Sequence, residues 1–380
     1  MDFTFTEDQR DLRKAVREFA EGEIRPHVAQ WDEGNVFPLD VVKKLGQLGF
    51  LGSVFPEEYG GAGLDYVSYC ILIEELARVD PSVGLIVAAH TSLCSNHLYL
   101  AGTEQQKQKY LPKLATGEWI GCWSLTEPEA GSDAGGTRSQ AVLEDGQWIL
   151  NGAKTFCTNA HYAQLCVAMA VTDRGLSSHG ISAFLVETDA RGFRLGKKED
   201  KLGMRASATG EVIFEDCRLA EEQLLGNRGE GFIDSLRILD GGRISIAALS
   251  VGIAQGAYDL ALGYSKQRRQ FGRFISEFQA IQHKLVDMAT SIEASRLLTY
   301  RAAAMHSAHK SVNKESAMAK LFASEAAVRV CDEAVQIHGG YGFIKDYGVE
   351  KFYRDVKLCT IGEGTSEIQR LVIARQLLKS

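Results

Sequence analysis

Apolar residues recur at helical spacing over the first third of the chain. Leu12, Val16, Phe19 and Ile24 form one stripe, opened by Thr6-Glu7-Asp8-Gln9 at capping-box spacing and closed near Pro26. A short helix is predicted over 41–48, followed by the loop Pro56-Glu57-Glu58-Tyr59-Gly60-Gly61-Ala62-Gly63. Two more helices are predicted over 66–79 and 83–100. The second is apolar nearly all round and should be buried. Thr103-Glu104-Gln105-Gln106 opens another helix with a second capping box. Near Glu118 the period changes from helical to alternating. Gln147 to Phe156 reads as two strands joined at Asn151-Gly152, a strong hairpin signal. Strands are also predicted over 165–171, 181–187 and 211–214. From Gly229 onward the helical period returns, over 232–268, 277–306, 314–336 and 367–379. Long amphipathic helices joined by short loops predict an antiparallel bundle.

This pattern predicts an α+β multidomain chain: a helical domain at 1–117, an antiparallel β domain at 118–226 and a helical bundle at 227–380. The helix–sheet–helix order excludes a doubly wound α/β fold. No G-x-G-x-x-G follows a strand and no P-loop is present, which argues against those nucleotide sites. There is no internal repeat and no low-complexity segment.

Composition narrows the class. The 380 residues are 45% hydrophobic and 24% charged, ordinary for a soluble globular protein. A formal charge of -7 and a pI near 5.8 argue against nucleic-acid or anionic-membrane partners. None of the eight cysteines is at CxxC spacing or paired with a nearby His, so no metal site is expected. Most lie in apolar runs and read as small buried residues in a reducing compartment. Met1-Asp2-Phe3-Thr4-Phe5 resembles neither a signal nor a transit peptide. No apolar run is expected to span a membrane. The expectation is a cytoplasmic protein, or a mature protein of the mitochondrial matrix.

Five stretches carry candidate chemistry. Ile361-Gly362-Glu363-Gly364-Thr365-Ser366-Glu367 places one carboxylate between two glycines at a helix start, where Thr365 or Ser366 can cap. That suits a base that must reach a bound ligand, although a surface turn is an alternative. Trp123-Ser124-Leu125-Thr126-Glu127-Pro128-Glu129-Ala130-Gly131-Ser132-Asp133 is an apolar strand running into a hydroxyl-rich turn. Such a turn offers donors to a planar polar ligand. Phe156 and Thr158, two apart on a strand, share a face that could flank a ring system. The helix end at Arg268-Arg269, and the turn Gln336-Ile337-His338-Gly339-Gly340, could bind phosphate or simply end helices. Asp240-Gly241-Gly242-Arg243 puts two glycines inside a helix, at about 1 kcal/mol each relative to Ala. Close approach by a ligand or another helix would justify that cost. Tyr353-Arg354-Asp355 reads as a structural ion pair.

In this order the stretches resemble the acyl-CoA dehydrogenase family, over essentially the whole chain. The Leu-Thr-Glu-Pro-x-x-Gly-Ser-Asp run, Gln-x-x-Gly-Gly-x-Gly with Arg354-Asp355 downstream, Lys201-Leu202-Gly203-Met204-Arg205 and Glu363-Gly364-Thr365 are specific as a collinear set. The resemblance implies a helical N-terminal domain, a β-barrel-like middle domain and a four-helix bundle. It also implies a homotetramer with one FAD per subunit. By that likeness Trp123, Ser124, Leu125, Thr126, Gly131 and Ser132 contact the flavin with Phe156, Cys157 and Thr158. Arg268, Phe271, Gln279, Gln336, Ile337, His338, Gly339 and Gly340 would reach the FAD of a neighbouring subunit. Thr365, Ser366 and Glu367 would touch its adenosine half. Ser132, Asp240, Arg243 and Gly364 would hold the CoA arm.

Glu363 matches the family's base. Relatives that carry the base on the helix holding Asp240–Arg243 would place it at a position that looks like Gly242 here. Gly362 stands where many members have Tyr, and Phe156 where Trp is more usual. The implied reaction takes an α-proton to Glu363 and a β-hydride to flavin N5, giving a trans-2-enoyl-CoA, with electrons passing to electron-transfer flavoprotein. Butyryl-CoA is the default substrate, a branched short chain the alternative. The pocket floor is expected near His90, Thr91 and Cys94. An acyl-CoA oxidase or a non-catalytic flavoprotein on the same fold are the competing readings.

Overall fold

In the computed structural model, residues 4–379 are described; Met1 to Phe3, part of the N-terminal reading, and Ser380 lie outside them. Helices α1 (Glu7–Phe19), α2 (Val28–Gly34), α3 (Leu39–Gln47), α4 (Tyr66–Val79), α5 (Pro81–Ala88), α6 (Asn96–Ala101) and α7 (Glu104–Ala115) build the first domain. Both expected capping boxes form: Thr6 and Thr103 each accept from the backbone three residues on, and Gln9 and Gln106 reach back. The expected single helix at 83–100 is instead α5, a wide π turn (Ala89–Ser95) and α6, buried through most of its length. Such a turn re-aims side chains within one helical rod.

The middle domain is one eight-stranded sheet, with strands β1 (Gly121–Ser124), β2 (Gln140–Glu144), β3 (Gln147–Thr158), β4 (Leu165–Val171), β5 (Ile181–Glu187), β6 (Phe193–Lys198), β7 (Thr209–Ala220) and β8 (Leu224–Leu225). Its order is β6-β7-β3-β2-β4-β5-β8. The pairings are antiparallel except where β4 meets β1 and the end of β2 in parallel. Separate apolar clusters cover the sheet's two faces, one centred on Trp148 and Phe184, the other on Val167, Met169 and Leu185. The hairpin lies elsewhere than expected. β3 runs unbroken through Asn151-Gly152, with a register shift there, and the turn is Asp145-Gly146 between β2 and β3. Both turn residues have positive φ (50° and 75°), as a tight hairpin requires.

The last domain holds α8 (Gly231–Gln267), a small hairpin of β9 (Arg269–Gln270) and β10 (Arg273–Phe274), α9 (Gln279–Ser307), α10 (Asn313–His338), α11 (Val349–Asp355) and α12 (Ser366–Leu377). α8 packs along α10, α9 and α4, so it belongs to both the bundle and the first domain. By length and composition α8 could cross a membrane, contrary to the sequence expectation, but 78% of its most apolar stretch is buried inside the fold.

Buried charges tie the domains together. Glu75 on α4 accepts from Arg13 and Arg17 on α1, and Glu74 accepts from Arg296 and Tyr300 on α9. Arg354 and Asp355 do not pair with each other as expected. Arg354 bonds Asp32 (2.7 Å) and Glu350 (2.6 Å), while Asp355 bonds Lys351 (2.6 Å) and accepts from the Met204 N–H (2.5 Å). Lys351 also bonds Asp80 (2.8 Å), and all three members of this cluster are buried. Lys351→Met would strand two buried carboxylates without their cation. The expected loss is about 3–5 kcal/mol, read as a lower denaturant midpoint; an unchanged midpoint would show that the cluster holds nothing.

Candidate active site

Glu363 sits between the short turn Val356–Thr360 and α12. Its φ is +53°, a left-handed conformation that costs a non-glycine residue about 1 kcal/mol or more. Gly364 follows at φ +94°, and Thr365 caps α12 by accepting from the Ile368 N–H. Two side chains lash the turn down. Gln369 Nε2 donates to the Gly364 carbonyl (2.9 Å) and the Glu363 carbonyl (3.3 Å). Lys320 Nζ, fully buried on α10, donates to the same Gly364 carbonyl at 2.7 Å.

The residue is half-buried overall, but Glu363 Oε2 is enclosed and has no hydrogen-bond partner in the protein. Burial pushes the carboxyl up to about 7, against the pull of Lys320 and Arg243. The carboxylate lies against α8. A methyl group added at Gly242 would overlap Glu363 Oε2 and stand 3.0 Å from Leu93 Cδ2. A methyl at the neighbouring Gly241 would stand 2.8 Å from the Tyr66 hydroxyl, itself buried without a partner. The mid-helix glycines thus open the edge of α8 to Glu363 and Tyr66. Arg243 is buried beside them, bonded to Asp240 at 2.7 Å, with its Nε unpartnered. Asn313 also donates to Asp240.

On the β domain, Thr155 N–H donates to the Thr126 carbonyl (2.9 Å) and so joins the turn after β1 to β3. A buried ion pair sets this joint. Lys154 Nζ bonds Glu127 (2.7 Å) and the Leu125 carbonyl (3.2 Å), and Glu127 accepts from the Arg138 and Ser139 N–H groups. Burial opposes ionisation of Glu127, but Lys154 and these donors hold its carboxyl below the usual range. Phe156 has φ +57° at a second register shift, and 64% of the residue is exposed. Thr158 is half-buried, and Cys157 between them lies buried in the sheet's apolar cluster. Ser124 is also buried, its hydroxyl donating to the Val167 carbonyl. Ser124 and Cys157 can therefore meet a ligand only through their backbone.

Two surface clefts complete the picture. Arg268, Ile337, His338, Gly339 and Gly340 line one of about 480 Å³, with Tyr264 beneath His338 at 4.4 Å. Thr365, Ser366 and Glu367 line another of about 390 Å³, with Arg329 and Lys357 at its rim. Gln336 is exposed at the end of α10, Gln279 opens α9, and Phe271 projects 93% exposed from the β9–β10 hairpin; none of these three lines either cleft. Gly131 and Ser132 are exposed on the turn after β1. Among the described residues no cluster of three or more His, Cys, Asp or Glu could hold a metal ion.

The N-terminal, middle and C-terminal domains of acyl-CoA dehydrogenases match residues 6–118, 122–217 and 229–378. The short-chain specific acyl-CoA dehydrogenase of Clostridium acetobutylicum is 48% identical, with each chain covered in full. The chain belongs to the acyl-CoA dehydrogenase family. Among solved structures, butyryl-CoA dehydrogenase from Megasphaera elsdenii is 42% identical with a TM-score of 0.98, each chain covered in full. A chain solved under the description "Electron transferring flavoprotein of Acidaminococcus fermentans" is 48% identical with a TM-score of 0.99, again with full coverage of both.

As an acyl-CoA dehydrogenase, the protein is a flavoprotein oxidoreductase acting on CH–CH groups in fatty acid metabolism. The facing of the segment expected to form the pocket floor of this dehydrogenase, left open by the sequence, can be read from its contacts. His90 bonds the Leu114 carbonyl and the Gly121 N–H, Thr91 bonds the Leu51 carbonyl, and Cys94 lies against Gly121 and Leu165. His90 and Cys94 face the joint with α7 and the sheet, and Thr91 faces the loop after α3. The residue of that turn facing the glycine edge is Leu93, clustered with Ala89 and Ile238 and flanked by Trp123 and Leu239. Sequence reasoning also missed Lys320, Gln369, Tyr66 and the Lys154–Glu127 pair. For Lys320, Gln369 and Tyr66 the only signal was a polar residue inside a helical pattern, and the Lys154–Glu127 pair joins strand β3 to a turn 27 residues away. Gly242→Ala should leave the fold intact and displace the carboxylate. We expect turnover to fall by 100-fold or more, on the order of the penalty for misplacing a reacting group by an ångström, with flavin content retained. Near-normal turnover in Gly242→Ala would show that Glu363 has room elsewhere.

Proposed function

We propose that the protein removes two hydrogens from the α and β carbons of a short-chain acyl-CoA, with Glu363 as the base. The observation that carries this is the enclosed, unpartnered Glu363 carboxylate at the glycine edge of α8, with a pKa raised to about 7. An α C–H is a very weak acid, so a strong base and stabilisation of the developing enolate are both needed. Desolvation supplies the first. The Glu363 N–H, presented by the glycine-flanked turn, is suited to donate to the thioester oxygen. The unpartnered Nε of buried Arg243 adds positive charge to the same region.

The residues fit an FAD. The exposed Phe156 ring and Thr158 offer a flat face with a hydroxyl, and the cleft at Arg268 and Gly339-Gly340 has a cation and bare backbone for phosphate. The cleft at Thr365 and Glu367 suits an adenosine half. When bound, the flavin supplies the acceptor for the hydride leaving the β-carbon. Asp240, Arg243, Ser132 and Gly364 are assigned to the CoA arm, and a homotetramer would bring Arg268, Gln279 and 336–340 to a neighbour's FAD. Leu93, Ala89 and Ile238 close an apolar wall beside the base, which favours a short acyl chain. The short-chain and butyryl-CoA specificities named for the relatives support the same choice, and the likeness to the chain described with the electron transferring flavoprotein of Acidaminococcus fermentans supports that acceptor.

Anaerobic titration of the yellow protein with a panel of acyl-CoA esters tests this. Butyryl-CoA should bleach the oxidised flavin; Glu363→Gln should bind ester yet bleach at least about 1000-fold more slowly, the scale of losing a general base. Bleaching only by branched or cyclic esters would move the substrate, and none with any ester would reject the reaction. The base must be ionised, so the bleaching rate should fall as pH drops through about 7. A limb near pH 4.5 would mean that Glu363 is solvated in the working complex.

A further inference from the structure

We propose that Lys320 is the positioning residue of the base: its buried ammonium fixes the Gly364 carbonyl and provides the positive charge that lets Glu363 work ionised. The proposal rests on the assignment of Glu363 as base. A lysine is an expensive way to make one hydrogen bond inside a bundle, because its charge must be desolvated. Gln369, neutral and fully buried, already donates to the same carbonyl. The hydrogen bond alone therefore does not explain a cation at this site.

The surroundings do. Lys320 faces Glu363 and Glu367 from the base turn and α12, Cys359 from the preceding turn, and Arg243 from α8. Burial holds the Cys359 thiol up at about 11, so it contributes no charge near neutrality. Arg243 repels Lys320, and its own charge is already shared with Asp240. Tyr66, the other group against the glycine edge, is kept protonated by burial. That leaves Lys320 as the leading counter-charge of Glu363, ahead of Arg243. Burial lowers Lys320 itself to about 8, which still leaves it mostly charged at neutral pH. The geometry has a further consequence. The ammonium bonds the backbone next to Glu363, and the carboxylate oxygen at the α8 edge is left without a partner. Charge is supplied without clasping the oxygen that must take the proton.

The test is single-turnover bleaching of the FAD-loaded enzyme by butyryl-CoA across about pH 5.5 to 9, bracketing the base. Lys320→Met keeps length without charge, Lys320→Gln keeps a donor without charge, and Lys320→Arg keeps both. The acid limb should move up by about one unit in the Met and Gln variants, a roughly fivefold slower reaction at pH 7, and return toward wild type in the Arg variant. A purely structural hydrogen bond would be rescued by Gln and would leave the limb in place; that result overturns the proposal. So does loss of folding in both neutral variants while Lys320→Arg behaves as wild type, since the role is then stability. Glu363→Gln is measured alongside. If it bleaches normally, the base assignment itself fails; if it is silent while the neutral Lys320 variants keep the wild-type limb, only the role of Lys320 fails.

Discussion

Enclosing a carboxylate oxygen without a partner costs free energy that the rest of the fold must offset, and Glu363 differs in this from the buried Glu75 and Glu127. Glu75 is held by Arg13 and Arg17 and stays below the usual carboxylate range despite its burial. Glu127 is held by Lys154 and two backbone N–H groups, with the same result. Glu363 has two cations nearby, yet neither bonds its carboxylate, and burial wins. The first two arrangements stabilise a joint. The third leaves a carboxyl whose pKa is raised to about 7. A clasped carboxylate is a poor acceptor for a carbon-bound proton, so the missing partner is what suits Glu363 to the proposed role of base.

Geometry then follows from keeping that oxygen bare. The carboxylate must reach the edge of α8, so α8 gives up side chains at Gly241 and Gly242 and loses helical propensity there. The turn must aim Glu363 inward, so the backbone takes a left-handed conformation at a residue that disfavours it. Lys320 and Gln369 restrain that conformation through carbonyls rather than through the side chain they position.

What could be read from the chain beforehand depended on the range of the interaction. The capping boxes at Thr6 and Thr103, the strands at 165–171 and 181–187 and the long bundle helices are local patterns, and all form as expected. Glu363 was visible because its glycines flank it in sequence. The hairpin was misplaced because Asn151-Gly152 and Asp145-Gly146 carry equal turn signals, and only the pairing of β3 with β7 decides between them. Lys320 and Lys154 were not visible. Each is a lysine in an apolar run whose partner lies 27 or 44 residues away. The facing of the His90 to Cys94 segment was not visible either, because a π turn breaks the period from which facing is inferred.

The same long-range logic ties the proposed base to the β domain. Asp355 ends α11, and the turn Val356–Thr360 that leads to Glu363 begins at the next residue. Asp355 is anchored on one side by Lys351 and on the other by the N–H of Met204, whose φ of +51° presents that donor from the middle domain. Arg205 reaches the Asp32 carbonyl, and Arg354 reaches the Asp32 side chain, so all three domains meet at this point. The Lys201 to Arg205 stretch therefore fixes the start of the base turn relative to the sheet on which Phe156 and Thr158 are displayed. The proposed proton acceptor on one domain and the proposed ligand face on another can cooperate only if their separation is held to a fraction of an ångström. Buried charge pairs at the seam, which slide poorly because every displacement exposes an unpaired ion, are better suited to that than an apolar contact of equal area.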